Sequence, residues 1–188
     1  MFNAVGTGSI EWQKVEKPHF GIIMFLPLKE NDFGFFIIDD ETGLGWLVNV
    51  PVARCSETDR EISVVSYLQP MMNRSSDMWE FSFAILVASN NGSEESFETQ
   101  DRDIVKRYLP EAARSSVLEI VRRSCVLLLD HQKPAMVYRV TKGRWLTAKA
   151  LAKHHLLTEA CEACGYMVEQ QGMDRAKRLF WLMSRKTA

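Results

Sequence analysis

The sequence predicts an α+β protein: an antiparallel sheet of about six strands, packed by helices and completed by a C-terminal helix and β-hairpin. Three observations carry this. Runs rich in Val, Ile, Phe and Trp, split by short turn clusters, occupy the chain from Ile10 to about Ser89. Helical periodicity takes over after the polar loop 90–95. The composition, 46% hydrophobic and 25% charged over 188 residues, supplies a core and excludes intrinsic disorder. One domain over 1–188 is expected, with a possible subdivision into a β-rich part, 1–100, and a helix-rich part, 101–188, that ends in the hairpin.

The expected strands are 10–15, 20–26, 33–38, 44–50, 62–68 and 79–87. Turn clusters separate them, among them Lys29-Glu30-Asn31-Asp32, Asp39-Asp40-Glu41-Thr42-Gly43 and Asn73-Arg74-Ser75-Ser76-Asp77, and such short connections favour an antiparallel meander. In Trp79-Glu80-Phe81-Ser82-Phe83 large apolar and polar residues alternate, so one sheet face lies in a core and must be covered.

The cover comes next. Asp101 or Asp103 caps a short helix ending before Pro110, and Pro110 suits the first turn of a second helix through about Leu128. At about 100° per residue, Ala113, Val117, Ile120, Val121, Ser124 and Leu128 share its core face. Asp130-His131-Gln132-Lys133-Pro134 breaks this helix, 135–140 reads as a strand, and 146–164 is helical up to Gly165. A hairpin of 166–169 and 178–183 follows, with a polar tip at 170–175.

The first twenty residues alternate polar and apolar groups, so no secretory signal is expected and the mature chain is expected to start near Met1. The longest apolar run, 20–28, contains Gly21 and Pro27 and falls short of the roughly 20 residues that span a bilayer. Cys55, Cys125, Cys161 and Cys164 are therefore expected as free thiols in a cytoplasm, with no membrane partner.

A net charge of −1 conceals a division. Through Asp130 there are 12 Lys and Arg against 20 Asp and Glu, a balance of −8; from His131 on there are 11 against 4, a balance of +7. The basic half offers a candidate anion or nucleic-acid surface of Arg144, Lys149, Lys153, Arg175, Lys177 and Arg178. In element order, helix 110–128, strand 135–140, helical region 146–164 and hairpin 166–183 resemble a winged helix-turn-helix, provided the third region is two helices turning near His154-His155. That resemblance implies a wing tip of Arg175, Lys177 and Arg178 meeting phosphate, and a recognition helix bearing Thr158, Glu159 and Glu162, whose two carboxylates phosphate repels. Phe33-Gly34-Phe35-Phe36-Ile37-Ile38 resembles the Gly-Phe-Gly-Phe-Ile stretch of cold-shock domains, without their upstream Lys-Trp-Phe-Asn run and within the acidic half. A hairpin with buried aromatics is the preferred reading of it.

Cys161-Glu162-Ala163-Cys164, with His154 nearby, has the spacing of half a zinc site but lacks a second ligand pair, so core packing is expected and neither a metal nor another cofactor is assigned. Asp39, Asp40 and Glu41 read as a solvated turn before a cation site. No nucleophile elbow, phosphate loop, zinc-protease helix or dinucleotide turn occurs, and the Asp130-His131 pair with Cys125 is the nearest approach to a catalytic set. The expectation is a non-catalytic cytoplasmic interaction or regulatory module that binds a protein partner or itself, with Trp46, Met71, Met72, Trp79 and Trp145 as candidate contacts. The alternatives are a nucleic-acid binder using the basic C-terminal part, and an enzyme with His131, His154 or Cys125 in a pocket wall.

Overall fold

The computed structural model describes residues 26–27, 34–39, 44–55, 60–71, 77–89, 96–141 and 147–186. Within them the order is β1 (Leu26–Pro27), β2 (Ile37–Asp39), β3 (Trp46–Cys55), β4 (Arg60–Pro70), β5 (Met78–Ser89), β6 (Phe97–Thr99), α1 (Arg102–Tyr108), α2 (Glu111–Gln132), β7 (Met136–Val140), α3 (Ala148–Ala163), β8 (Tyr166–Met173) and β9 (Leu179–Arg185). The strand expected at 10–15 lies outside the described residues, as does most of the one at 20–26.

One sheet runs β1-β3-β4-β5-β7-β9-β8, with β2 also on β3 and β6 also on β5. The α+β class is as expected, but the sheet is mixed, because β7 lies parallel to β5. The chain reaches β7 through α1 and α2, and a helical crossover is the connection that brings a strand back parallel. Two further departures are local. The three residues of β6 follow the polar loop where no strand was expected, and the hairpin strands run longer, moving the turn out to 174–178.

Alternation decides which residues face the helices. Ile62, Val64 and Leu68 of β4 register with Val87, Ile85 and Phe81 of β5, and these join Val48 and Val50 of β3 in the core. Pro51 lacks an N–H for the ladder, and β3 slips register between Pro51 and Ala53, which keeps both Val52 and Ala53 buried. Across this face lies α2, with Ala113, Ile120, Val121, Ser124 and Leu128 buried as its periodicity predicts and Val117 half-buried. It contacts β3, β4 and α3, while α3 reaches β8.

The helix ends follow local chemistry. The Asp101 carboxylate accepts from the N–H groups of Asp103 (2.8 Å) and Ile104 (3.1 Å), so of the two candidate caps Asp101 serves. Lys133 takes the left-handed conformation that closes α2, four residues beyond the expected end. Gly165, at φ +85°, ends α3. No helix among the described residues is long and apolar enough to cross a membrane.

Candidate functional site

The sheet is split along one edge of β5. There, β7 pairs only with Met78–Glu80 and β6 only with Ile85–Val87, leaving Phe81–Ala84 without a strand partner on that side among the described residues. A cavity of about 600 Å³ opens at this gap, roofed by α1, α2 and α3. Its volume falls within the range of small-molecule sites. Phe81, Phe83 and Ile85 line it from the sheet, Val105 and Leu109 from α1 and its end, Val117 and Val121 from α2, and Leu157 from α3. The elbow between α1 and α2 is held by Arg114, which donates to the carbonyls of Leu109 (2.8 Å) and Lys106 (2.6 Å).

The polar part of the wall is one-signed. Lys106, Arg114, Arg139 and Lys153 contribute cations, with His154 and Thr141 beside them, and no described carboxylate lines the cavity. Arg139 differs from the other three in being only 3% exposed. It is buried because β7 alternates, putting Val137 and Arg139 on the helix-covered face and pairing Arg139 with Trp181.

Neutral groups surround the guanidinium. Nη1 donates to Thr158 Oγ1 and Nη2 to the His154 carbonyl, both at 3.3 Å. The Trp181 ring lies beneath, 5.4 Å from the guanidinium carbon. His154 stacks on the same indole at 5.2 Å, and its Nδ1 sits 3.5 Å from Nη2. Burial first, then the Arg139 and His155 charges, pull the His154 pKa down to about 4, so the ring is neutral near pH 7 and can accept from Arg139. No ion pair joins Arg139 to a described carboxylate.

The thiols lie behind this cluster. Cys125 of α2 meets Cys161 of α3 at 3.7 Å, both buried. The shared hydrogen bond, with burial, pushes Cys125 well above the ordinary thiol range; the same bond, aided by Arg139, draws Cys161 down. Burial raises Cys164 to about 11. Among the described residues no three His, Cys, Asp or Glu groups converge as metal ligands, and His154 is turned to Arg139 and Trp181 instead of the thiols.

The described residues of the expected anion surface fall on α3 and on the β8–β9 turn. Lys153 is exposed on α3 and lines the cavity, and Lys149 stands one turn before it. Arg175 and Lys177 are exposed in the β8–β9 turn, and Arg178 there is paired with Asp174 at 2.8 Å. Arg144 lies outside the described residues. Helix α3 runs unbroken through His154 and His155, so the two-helix condition of the winged-helix likeness is not met, and the hairpin is part of the main sheet.

The other candidates are separated too. His131 sits edge-on to Trp46 at 4.4 Å, on the exposed end of α2, while Cys125 faces Cys161 in the core. Trp46 donates to Gln132 (2.7 Å), Trp79 is buried, Met71 is half-buried, and Met72 and Trp145 lie outside the described residues. In the described part of the cold-shock-like stretch Phe35 and Ile37 pack half-buried on the core and Phe36 and Ile38 are exposed. Arg139 belongs to none of the sites expected from sequence: Val137-Tyr138-Arg139-Val140-Thr141 has a valine on each face, and the pairing of Arg139 with Trp181 decides that it lies inside. Comparison with protein-family models, curated proteins and solved structures returned no match.

Proposed function

We propose that this chain is a non-catalytic interaction module whose working element is the cavity in the split sheet, where it holds a small-molecule ligand. The observation that carries this is the cavity itself: a largely apolar-walled space of about 600 Å³ whose lining includes the buried Arg139. The wall's one described imidazole is neutral and occupied with Arg139, and the thiols nearest it are paired in the core, which favours binding over chemistry. Titrating the neutral dye Nile red into wild type and into Val117→Trp, which fills the space from α2, tests it. Binding to wild type and its loss in a variant with an unchanged circular-dichroism spectrum is expected; equal binding by both would place the dye elsewhere and remove the reading.

A second reading keeps the protein partner. Among the described residues the strand β8 ends the sheet order, pairs only with β9, and exposes Met167 and Met173, with no proline or lysine along it, a register shift between Val168 and Gln170 and the Glu169 carboxylate being its edge-blunting features. Its occupant would be β8 of a second copy, paired antiparallel. Light scattering across a hundredfold dilution checks this: a concentration-dependent dimer abolished by Gln170→Pro supports it, and a monomer throughout excludes it.

A further inference from the structure

We infer that the cavity takes an amphiphilic organic anion, its single acidic head group (a carboxylate or a phosphate monoester) held by Arg139 and its apolar body laid along the wall formed by Phe81, Phe83, Val117 and Leu157. This rests on the cavity being a ligand site and adds the class of ligand. The argument begins with the cost of Arg139. A guanidinium removed from water loses several kcal/mol of hydration, and buried cations are ordinarily compensated by a carboxylate. Here the partners are a hydroxyl, a main-chain carbonyl and a neutral imidazole, with an indole face below. Each accepts a hydrogen bond or offers a polarisable surface, the Cys161 thiol adds a further contact, and no described carboxylate cancels the charge.

The surroundings select for the missing charge. Lys106, Arg114 and Lys153 stand on other parts of the wall, so a cationic guest meets an unfavourable field and an anion a favourable one. Among the described residues Arg114 is engaged with carbonyl oxygens and with no carboxylate. A planar fork with further N–H groups beyond those used by Thr158 and His154 suits two-oxygen head groups, and such charge-assisted bonds are about twice as strong as neutral ones. The predominantly apolar remainder of the wall excludes a bare inorganic ion as the preferred ligand, because it would leave that surface wet.

The test compares decanoate, decyl phosphate, decanol and inorganic phosphate by calorimetric titration against the full chain. Decanoate or decyl phosphate is expected to bind at least about tenfold more tightly than decanol, with inorganic phosphate weaker still. Whichever acid binds better identifies the head group. Arg139→Gln should remove that preference while leaving decanol binding in place. If Arg139→Gln does not fold, the double variant Lys106→Gln/Lys153→Gln, altered only at exposed side chains, should lower decanoate affinity severalfold at low salt and leave decanol unchanged. Decanol binding as tightly as decanoate, a preference that survives Arg139→Gln, or a decanoate affinity unmoved by the two lysine changes overturns the inference. Failure of every amphiphile and of Nile red removes the cavity reading itself.

Discussion

His154 couples burial to pH. Its ring faces Arg139 and Trp181, with His155 adjacent, and its pKa falls from 6.5 to about 4. The unfolded chain therefore binds a proton that the folded chain refuses, so the stability contribution is full above about pH 6.5 and is lost as pH falls toward 4. Because the ring is partly exposed, the loss is about 1–2 kcal/mol after allowing for solvent screening. Urea unfolding at several pH values should show wild type losing that much more than His154→Gln across the window; parallel profiles would refute the assignment. Cys161 makes a different residue-scale prediction. It packs against Cys125 in the core, so Cys161→Ser should cost about 1–3 kcal/mol by burying a hydroxyl, with no zinc found in either protein by elemental analysis. Stoichiometric zinc in the wild type would reverse the reading.

At the scale of elements, short capping signals hold the cavity's roof. Asp101 caps α1, a helix of only seven residues that contributes Val105 and Lys106 to the wall. Asp101→Ala should cost about 1 kcal/mol and weaken Nile red binding, since the helix it anchors forms part of the enclosure. Gly165 ends α3 at φ +85°, where an added Cβ would meet nothing within 4 Å. Gly165→Ala should therefore cost about 1–2 kcal/mol, the penalty of a left-handed backbone alone. Both losses are read from melting; a larger loss at Gly165 would mean a steric role that the open space does not allow.

Across the whole molecule, the expected β-rich and helix-rich parts share one sheet. Pairing of β5 with β7 and packing of α2 on β3 and β4 join them, so a single cooperative transition is expected. Tryptophan fluorescence and far-ultraviolet circular dichroism should give coincident denaturation curves, and two separated transitions would instead assign two domains. The charge division acts differently at this scale. Exposed Arg175 and Lys177 stand in the β8–β9 turn, and Lys153 lines the cavity. Labelled duplex DNA is expected to bind only weakly and to be released by modest salt; tight, salt-resistant binding would restore the nucleic-acid alternative.

Local pattern alone determined much of this protein. The β3, β4 and β5 cores, a cap at Asp101 or Asp103, the inward face of α2 and the stop at Gly165 each follow from side-chain period or backbone preference within a few residues. Tertiary structure decided the parallel return of β7, the unbroken α3 and the gap between β6 and β7, because strand partners are chosen by packing between segments distant in the chain. It also decided the site. Only the meeting of β7, α3 and β9 sets Arg139 inside, among neutral groups at the edge of a cavity, since charge compensation depends on neighbours that no single stretch of sequence contains.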